Sequence, residues 1–237
     1  MDVHSISTHC SRTEFVGTAV LDTIGLVISG VDETLLHEMN IGDKYRTLGL
    51  FSSRTGAAGQ ITAVDDAVKA TNTEVLSIEL PRDTKGWGGH GNYIVLGGND
   101  VSDVRHAVQL SLELTDKYAG ELYISQSGHL EFAYSANAGP ALQKAFQASP
   151  GEAFGFMAGS PAAIGLVMAD TAVKASSVKI IRYMTPSIGT SHSNEVILAI
   201  SGDASAVKEA VLEARQIGLE LLIAMGSYPE IPGTPYL

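Results

Sequence analysis

Apolar and polar positions follow the same order twice along the chain. Each half begins with an apolar or alternating run typical of strands, "TIGLVI" in the first and "HLEFAY" in the second. A short helix, a second strand, an Ala-rich helix, two more strands and a final helix follow in both halves. The final helices are indicated by apolar residues at three- and four-residue steps, namely Val101, Val104, Val108 and Leu112, then Val207, Val211, Ala214 and Ile217. Because several strands are joined directly by loops, the pattern predicts an α+β fold with mixed or antiparallel sheets and helices packed on them.

The two halves are copies of one unit. "DDAVKATNTEVLSIELP" at 65–81 and "DTAVKASSVKIIRYMTP" at 170–186 share six residues at an offset of 105. This offset continues to Gly97 and Gly202, which predicts loops of equal length before the last strand. Upstream the offset is 106, where Leu26 is aligned with Phe132. Since the period is about twice that of solenoid repeats, each copy should form a compact domain. We therefore expect a flexible leader at 1–13, a first domain at 14–127 and a second domain with a C-terminal tail at 128–237.

Composition narrows the classes of function. The chain has 237 residues, of which 45% are hydrophobic, and a formal net charge of −11. Nucleic acid is disfavoured as a partner, because affinity for phosphate backbones comes mainly from Lys and Arg. No apolar run approaches the roughly 20 residues of a membrane span, and the start lacks the apolar core of a secretory signal. We expect a cytoplasmic protein without membrane contact, and a lone Cys10 excludes an internal disulfide or a cysteine-based metal site.

A glycine-rich loop raises the question of nucleotide binding. Gly86, Gly88 and Gly91 have the spacing G-x-G-x-x-G. A dinucleotide fingerprint requires a helix directly after these glycines, so that the helix N-terminus faces the pyrophosphate. Here the strand "NYIVL" follows instead. The sequence therefore argues against a nucleotide site, and we expect no cofactor.

The matching loop of the second copy places Ser191, His192 and Ser193 side by side, which suggests a hydrolase. This loop lacks the second glycine of a nucleophile elbow, and a strand rather than a helix follows it. Adjacent residues also rarely form the Ser–His hydrogen bond that activates a nucleophile. A polar turn is therefore the favoured interpretation. The seven histidines are scattered without metal-ligand spacing, so we expect neither a metal site nor catalysis.

A structural role for the two loops remains. Glycine permits close approach of backbones, and short polar side chains can line a narrow aqueous passage where subunits meet. In that case His90, His192 and Asn194 would face one another around a symmetry axis. The alternative is a pair of surface loops without function.

Several longer segments resemble a known family. They include "DTIGLVI", "AVKATNTEV", "ELPRDTKG", "GGHG", "GHLEF", "SNEVIL" and the closing "PYL". Together they are similar to the tandem-domain shell proteins of bacterial microcompartments, and more narrowly to the B-type proteins of propanediol-utilising and ethanol-utilising compartments. The resemblance extends from about Glu14 to the C-terminus.

The resemblance implies two circularly permuted, ferredoxin-like microcompartment domains in each chain. Three chains would form a flat pseudohexamer that tiles the facets of a protein shell around enzymes in the bacterial cytoplasm. The implied partners are other copies of the chain, other shell proteins, encapsulated enzymes and small polar metabolites such as polyols, alcohols or aldehydes. No catalytic residue, cofactor or metal is implied.

The resemblance also implies residue roles. The pore-region loops would contain Trp87, Gly88, Gly89, His90, Ser191, His192, Ser193 and Asn194. Lys69 and Lys174 occupy the position of the family's edge lysine, where neighbouring hexagons meet. Trp87 departs from the glycine expected in relatives, and an aromatic ring there would narrow the central opening. Similar proteins are thought to pass small polyols between the two domains of each subunit, but the sequence does not identify the residues of that channel.

Two other classes of function are alternatives. Duplicated α+β layers of this size also occur in trimeric, ferredoxin-like sensors that bind small effectors. A hydrolase or dehydrogenase is the third possibility, and both candidate loops lack the context that such an enzyme requires. Extended sheets or hexagonal arrays of the purified protein would be expected only for a shell protein.

Overall fold

A computed structural model of the chain describes residues 13–82 and 90–237. Within these residues the first sheet contains β1 (Thr13–Ala19), β2 (Thr23–Ser29), β3 (Thr47–Ser53), β4 (Glu74–Glu79) and β5 (Asn92–Gly98). The strand order is β1-β2-β3-β5-β4, and all four pairings are antiparallel. Three helices accompany this sheet: α1 (Glu33–Met39), α2 (Ala58–Ala70) and α3 (Val101–Tyr118).

The second sheet repeats this arrangement. It contains β6 (Leu122–Ser125), β7 (Gly128–Ser135), β8 (Ala153–Ser160), β9 (Lys179–Met184) and β10 (Val196–Gly202), with the antiparallel order β6-β7-β8-β10-β9. Its helices are α4 (Pro140–Phe146), α5 (Ala162–Ala175) and α6 (Ala204–Ala224). A 3-10 turn at Ala119–Glu121 links α3 to β6, so the second sheet begins at Leu122. The architecture confirms the α+β class, and the described sheets are antiparallel rather than mixed.

Glycines allow a helix to approach each sheet closely. A Cβ atom at Gly25 would lie 2.6 Å from Cγ1 of Val108 in α3, and one at Gly49 would lie 2.8 Å from its Cγ2. In the second copy a Cβ atom at Gly155 would lie 2.8 Å from Cγ1 of Val207 in α6. Any other residue at these positions would push the helix away from the sheet, because interiors are already close-packed.

Strand pairing corrects two details of the repeat. Gly25 pairs with Phe51, and Phe132 pairs with Met157. Since β3 and β8 are related by an offset of 106, the structural counterpart of Gly25 is Phe132, and β2 and β7 differ by 107. The expected alignment of Leu26 with Phe132 is therefore wrong by one residue. A one-residue slip moves a side chain to the opposite face of the sheet, and apolar residues on both faces of β2 and β7 conceal it in the sequence.

The second correction concerns the strand that follows the loop expected near the pore. Thr47 pairs with Gly98, and Ala153 pairs with Gly202. With β3 and β8 related by 106, these pairings give β5 and β10 an offset of 104. The loop before β10 is thus one residue shorter than the loop before β5, and the expectation of equal loop lengths is wrong.

One hydrophobic cluster spans both copies. A single cluster of buried side chains joins Phe51, Ile61 and Val68 of the first copy to Phe146 and Phe154 of the second. Helix α4 lies against α2 and β4, and α2 also contacts β7. Side chains of both copies are therefore packed together across the junction. No helix among the described residues is long and apolar enough to cross a membrane.

Candidate functional site

Each copy caps a helix of the other where they meet. Glu131, on β7, accepts hydrogen bonds through Oε1 from the backbone N–H groups of Ala57, Ala58 and Gly59, at 3.0, 2.8 and 3.4 Å. These groups open α2, whose first N–H groups have no partner inside the helix. A carboxylate is favourable at this end because of the helix dipole. Burial nevertheless raises the pKa of Glu131, against the opposing effect of the Ala57 hydrogen bond.

The reciprocal cap comes from Asp65 in α2. Its carboxylate accepts from the backbone N–H groups of Gly139 at 2.9 Å, Ala141 at 2.9 Å and Leu142 at 3.2 Å, at the start of α4. Asp65 has no exposed surface. Two buried carboxylates, one from each copy, therefore fix how the copies pack against each other.

Lys69 completes this junction. Its Nζ lies 3.1 Å from Asp65 and 2.8 Å from Asp66, and it donates to the carbonyl of Asn137 at 2.9 Å. Burial works to lower the pKa of Lys69, but hydrogen bonding to Asp66 and the charge of Asp65 outweigh it and raise the pKa. Lys69 therefore links the two copies within the chain.

Lys174, its counterpart on α5, has a different environment. Its side chain is 73% exposed, and its ammonium pairs with Asp170 one turn earlier. The assignment of Lys69 and Lys174 to a shell edge stays a prediction, but the two lysines are not equivalent within the chain.

A second polar cluster lies between the copies. His90 lies shortly before β5 in the first copy, whereas Glu195 and His129 belong to the second copy. Nδ1 of His90 contacts one carboxylate oxygen of Glu195, and Nε2 of His129 lies 3.1 Å from the other. All three side chains are at least nine-tenths buried. Burial by itself would raise the pKa of Glu195, but hydrogen bonds from His129 and His90 outweigh it and hold the pKa at about 2.

This cluster borders a small cavity. The volume that the centre of a water molecule can occupy in this cavity is about 10 Å³, which is enough for one water molecule. The lining includes His90, His129, Glu131, Glu195, Phe146 and Phe156. Its polar groups come from both copies, and two of them are carboxylates. The cavity can therefore accept a small hydrogen-bond donor and disfavours anions.

The residues of the second loop that is expected near the pore take different positions. Ser191, His192 and Asn194 are exposed, whereas Ser193 is buried. Ser191 and His192 have φ angles of 51° and 64°, in the left-handed region that residues other than glycine seldom adopt. The amide oxygen of Asn194 accepts from the backbone N–H of Ala162 at the start of α5.

The first loop that is expected near the pore is described only at its end. Trp87, Gly88 and Gly89 lie outside the described residues. His90 lies inside the chain beside Glu195, with 6% of its surface exposed. This placement differs from the expectation that His90 faces His192 and Asn194 around a symmetry axis. The imidazole instead pairs with the carboxylate of Glu195 inside the chain.

Sequence reasoning did not identify His129, Glu131 or Glu195. Glu131 carried a usable signal, because it is a charged residue inside the apolar run "HLEFAY", where a buried acid needs partners. Glu195 directly precedes an apolar strand and carried none. Its partner His90 is distant in the sequence, and only the fold brings the two together. Among the described residues no group of three or more potential ligands could hold a metal ion.

A further candidate site is the outer face of α5 and β9. In the first copy Ile61 and Val68 of α2 are 0% and 5% exposed, because the second copy covers them. Their counterparts on α5, Leu166 and Val173, are 53% and 36% exposed, and Ile180 on β9 is 56% exposed. The second copy therefore presents to solvent the surface that the first copy buries inside the chain.

Comparison with known proteins gives a consistent result. A family model described as "BMC domain" matches residues 47–127 and again 153–230. "Bacterial microcompartment shell protein PduB" of Citrobacter freundii is 52% identical over 228 residues, which cover 96% of this chain and 84% of that protein. The protein of the same name from Limosilactobacillus reuteri is 45% identical over 217 residues, or 91% of each chain.

Solved structures agree. "Crystal structure of a trimeric bacterial microcompartment shell protein PduB" has a TM-score of 0.91 and 44% identity, and covers 94% of this chain and 99% of that one. "Crystal structure of EtuB from Clostridium kluyveri" also has a TM-score of 0.91, with 49% identity over 94% of this chain and 98% of that one.

Proposed function

The chain belongs to the BMC-domain family, and from this membership we propose that it is a shell protein of a bacterial microcompartment in the bacterial cytoplasm. Three copies assemble into a ring of six domains. This pseudohexamer tiles shell facets beside other shell proteins and around encapsulated enzymes. The relatives named as shell proteins, one of which is described as trimeric, support the assignment. The expected role is structural rather than enzymatic.

One observation supports the proposed ring: α2 is covered within the chain, whereas its counterpart α5 is exposed. Within a chain the α4 side of the second copy covers α2 and β4 of the first. If the α1 side of the next chain covers α5 and β9 in the same way, Leu166 and Val173 become buried as Ile61 and Val68 are. Such a head-to-tail contact closes into a ring when the rotation fits. Each chain fills two of six similar positions, so three chains complete it.

We place the passage of small polar metabolites at the junction within each chain, because of the chemistry of the groups that line its cavity. The cavity beside Glu195 is lined by groups from both copies and carries two carboxylates, which repel anions. Polyols, alcohols or aldehydes are neutral and offer or accept hydrogen bonds, so they fit this chemistry. For the central opening of the ring, we propose that Trp87 narrows it, since a tryptophan presents roughly 150–250 Å² of surface for packing.

The assembly is tested by mass. Three chains of 24.9 kDa give 3 × 24.9 = 74.7 kDa, and mass photometry of the wild-type protein should show this species. Leu166→Glu places a charge in the proposed contact and should yield mostly single chains with unchanged circular dichroism. Met225→Glu alters a residue of similar exposure, 48%, at the end of α6 and should remain trimeric. A trimer of undiminished stability in Leu166→Glu would contradict the ring.

Electron microscopy tests the shell role separately. Sheets, tubes or hexagonal arrays of overexpressed protein are expected for a shell protein. Dispersed trimers that bind an effector and never form arrays would support the alternative, a trimeric sensor.

A further inference from the structure

Two helix ends lie on the surfaces that meet in the proposed ring, those of α1 and α5. We propose that the chains of the ring separate and exchange as folded units, because each chain caps both of these helix ends by itself. The partner at this contact is a second copy of the chain. The inference rests on the proposed ring, and it adds how the ring comes apart.

The two copies within one chain cannot separate in this way. Glu131 of the second copy accepts hydrogen bonds from three backbone N–H groups at the start of α2. Asp65 of the first copy accepts from three more at the start of α4. Separation of the copies would remove the acceptors from both helix ends, whose first N–H groups have no partner inside the helix. The copies should therefore stay together as long as the chain is folded.

Helix α1, the counterpart of α4, carries its own cap. Both helices are seven residues long and end at a residue with a left-handed φ angle, so their N-cap residues Asp32 and Gly139 correspond. Gly139 has no side chain to serve as a cap, and α4 depends on Asp65. The carboxylate of Asp32 instead accepts from the backbone N–H groups of Thr34 at 2.9 Å and Leu35 at 3.4 Å. The start of α1 therefore needs no acceptor from another chain.

Helix α5, the counterpart of α2, is also capped from its own copy. The amide oxygen of Asn194 accepts from the backbone N–H of Ala162 at the start of α5, at 3.2 Å. At the offset of 107 residues that relates β2 to β7, Glu131 corresponds to Ile24. The side chain of Ile24 has no hydrogen-bond acceptor. A contact between chains built like the junction would thus bring an apolar side chain, rather than a carboxylate, to the start of α5.

The histidine–carboxylate pair of the junction differs between the copies in the same sense. At the offset of 104 residues that relates β5 to β10, Glu195 corresponds to Gly91, and His90 corresponds to Asn194. Neither counterpart carries a charge. The contact between chains should therefore lack the buried ion pair that links the copies within a chain, and chains can part without leaving a buried charge unpaired.

Apolar side chains are available for the contact instead. Leu35 on α1 corresponds to Leu142 on α4, and the two are 51% and 0% exposed. On the opposing surface, Leu166 of α5 is 53% exposed. Separation of two chains would return this apolar surface to water, which costs free energy in proportion to its area. It would leave the ends of α1 and α5 capped, so each chain should stay folded.

Exchange is measured by native mass spectrometry of the wild-type protein. Trimers with natural isotopes are mixed with trimers labelled with nitrogen-15. Mixed trimers should appear within hours at room temperature, while circular dichroism stays unchanged. Trimers that mix only when the chains are unfolded and refolded would refute the inference and leave the ring intact. Folded single chains without trimers would contradict the ring but support the independence of each chain.

Variants of Asp32 test the cause. Asp32→Ala removes the cap of α1 and should lower Tm by about 2–4 °C. The dissociation constant of the trimer should not change, because the cap is present in the single chain and in the ring alike. Asp32→Asn keeps a good cap and should retain the wild-type Tm. Asp203→Ala, at the N-cap of α6 where the side chain makes no capping hydrogen bond, is the matched control. A rise of about tenfold in the dissociation constant of Asp32→Ala would show that Asp32 acts between chains, and would overturn the inference.

Discussion

Replacing Lys69 and Lys174 separately by alanine should have unequal effects, although both occupy the same place in the repeat. Lys69 touches Asp65, Asp66 and the carbonyl of Asn137, and 31% of its side chain is exposed. Lys174 has one carboxylate partner, and 73% of its side chain is exposed. Sequence reasoning treats the two lysines alike, whereas the structure predicts that Lys69 stabilises the chain and Lys174 does not.

The magnitudes follow from these contacts. Hydrogen bonds to charged groups contribute about 1.5–3 kcal/mol when buried, and exposed ion pairs about 0–1 kcal/mol. Since Lys69 is partly exposed, its removal should cost about 2 kcal/mol, and removal of Lys174 less than about 0.5 kcal/mol. For a chain of this length 1 kcal/mol lowers Tm by about 2–4 °C. Lys69→Ala should therefore lower Tm by about 4–8 °C, and Lys174→Ala by at most about 2 °C.

The assay is thermal unfolding at pH 7 and equal protein concentration, because assembly makes Tm depend on concentration. The pKa of Lys69 is raised, so its contribution is complete below the ordinary lysine value and is lost only as pH rises above it. Lys69→Met retains the apolar stem and separates packing from charge. Equal losses of Tm in both alanine variants would refute the reasoning. Lys174→Ala should instead show fewer arrays by electron microscopy, if Lys174 lies at a shell edge.

Acid should destabilise the wild-type fold through Glu195, because the pKa of this residue is lowered from 4.5 to about 2. The contribution of Glu195 to the free energy of unfolding is complete above pH 4.5 and is lost as pH falls toward 2. Urea midpoints should fall more steeply over this range than in Glu195→Gln, and parallel curves would contradict the lowered pKa. Gly120→Ala should displace the C-terminal tail, because its Cβ atom would lie 2.0 Å from the carbonyl oxygen of Thr234. The backbone hydrogen bonds from Tyr236 and Leu237 to Glu121 would then be lost, and the free energy of unfolding in urea should fall by about 2–4 kcal/mol. In a chain that ends at residue 233, Gly120→Ala should cause no further fall in the free energy of unfolding.

Much of the fold could be predicted from the sequence because the repeat is strong in helices and at strand ends. The segments around Lys69 and Lys174 align at an offset of 105, and the structure places both in the last turn of equivalent helices. The alignment failed where both faces of a strand are apolar. Leu26 and Phe132 match in residue type but lie on opposite faces, since burial on both sides removes the alternation that would fix the register.

The candidate site could be predicted only in part. His90 belongs to the expected loop, but its side chain turns inward because Glu195, more than a hundred residues later, supplies a carboxylate. No local pattern records such a pairing. Asp65 looked like part of a repeated motif and is in fact a cap on another copy's helix, a role that depends on how the copies pack. The contacts that the sequence does not predict are those between the two copies, rather than those within each copy.

The reciprocal caps have a consequence for the order of events during synthesis. Helix α2 is complete as a segment once residue 70 has been added, yet the carboxylate that caps it belongs to Glu131. At about 5–20 residues per second, the first copy waits several seconds on the ribosome before that carboxylate exists. During this interval Asp65 also lacks the backbone N–H groups that it binds in the finished chain. The first copy therefore cannot complete its folding until the second copy has been synthesised. Nascent chains that stall before residue 131 should be recognised by chaperones and proteases.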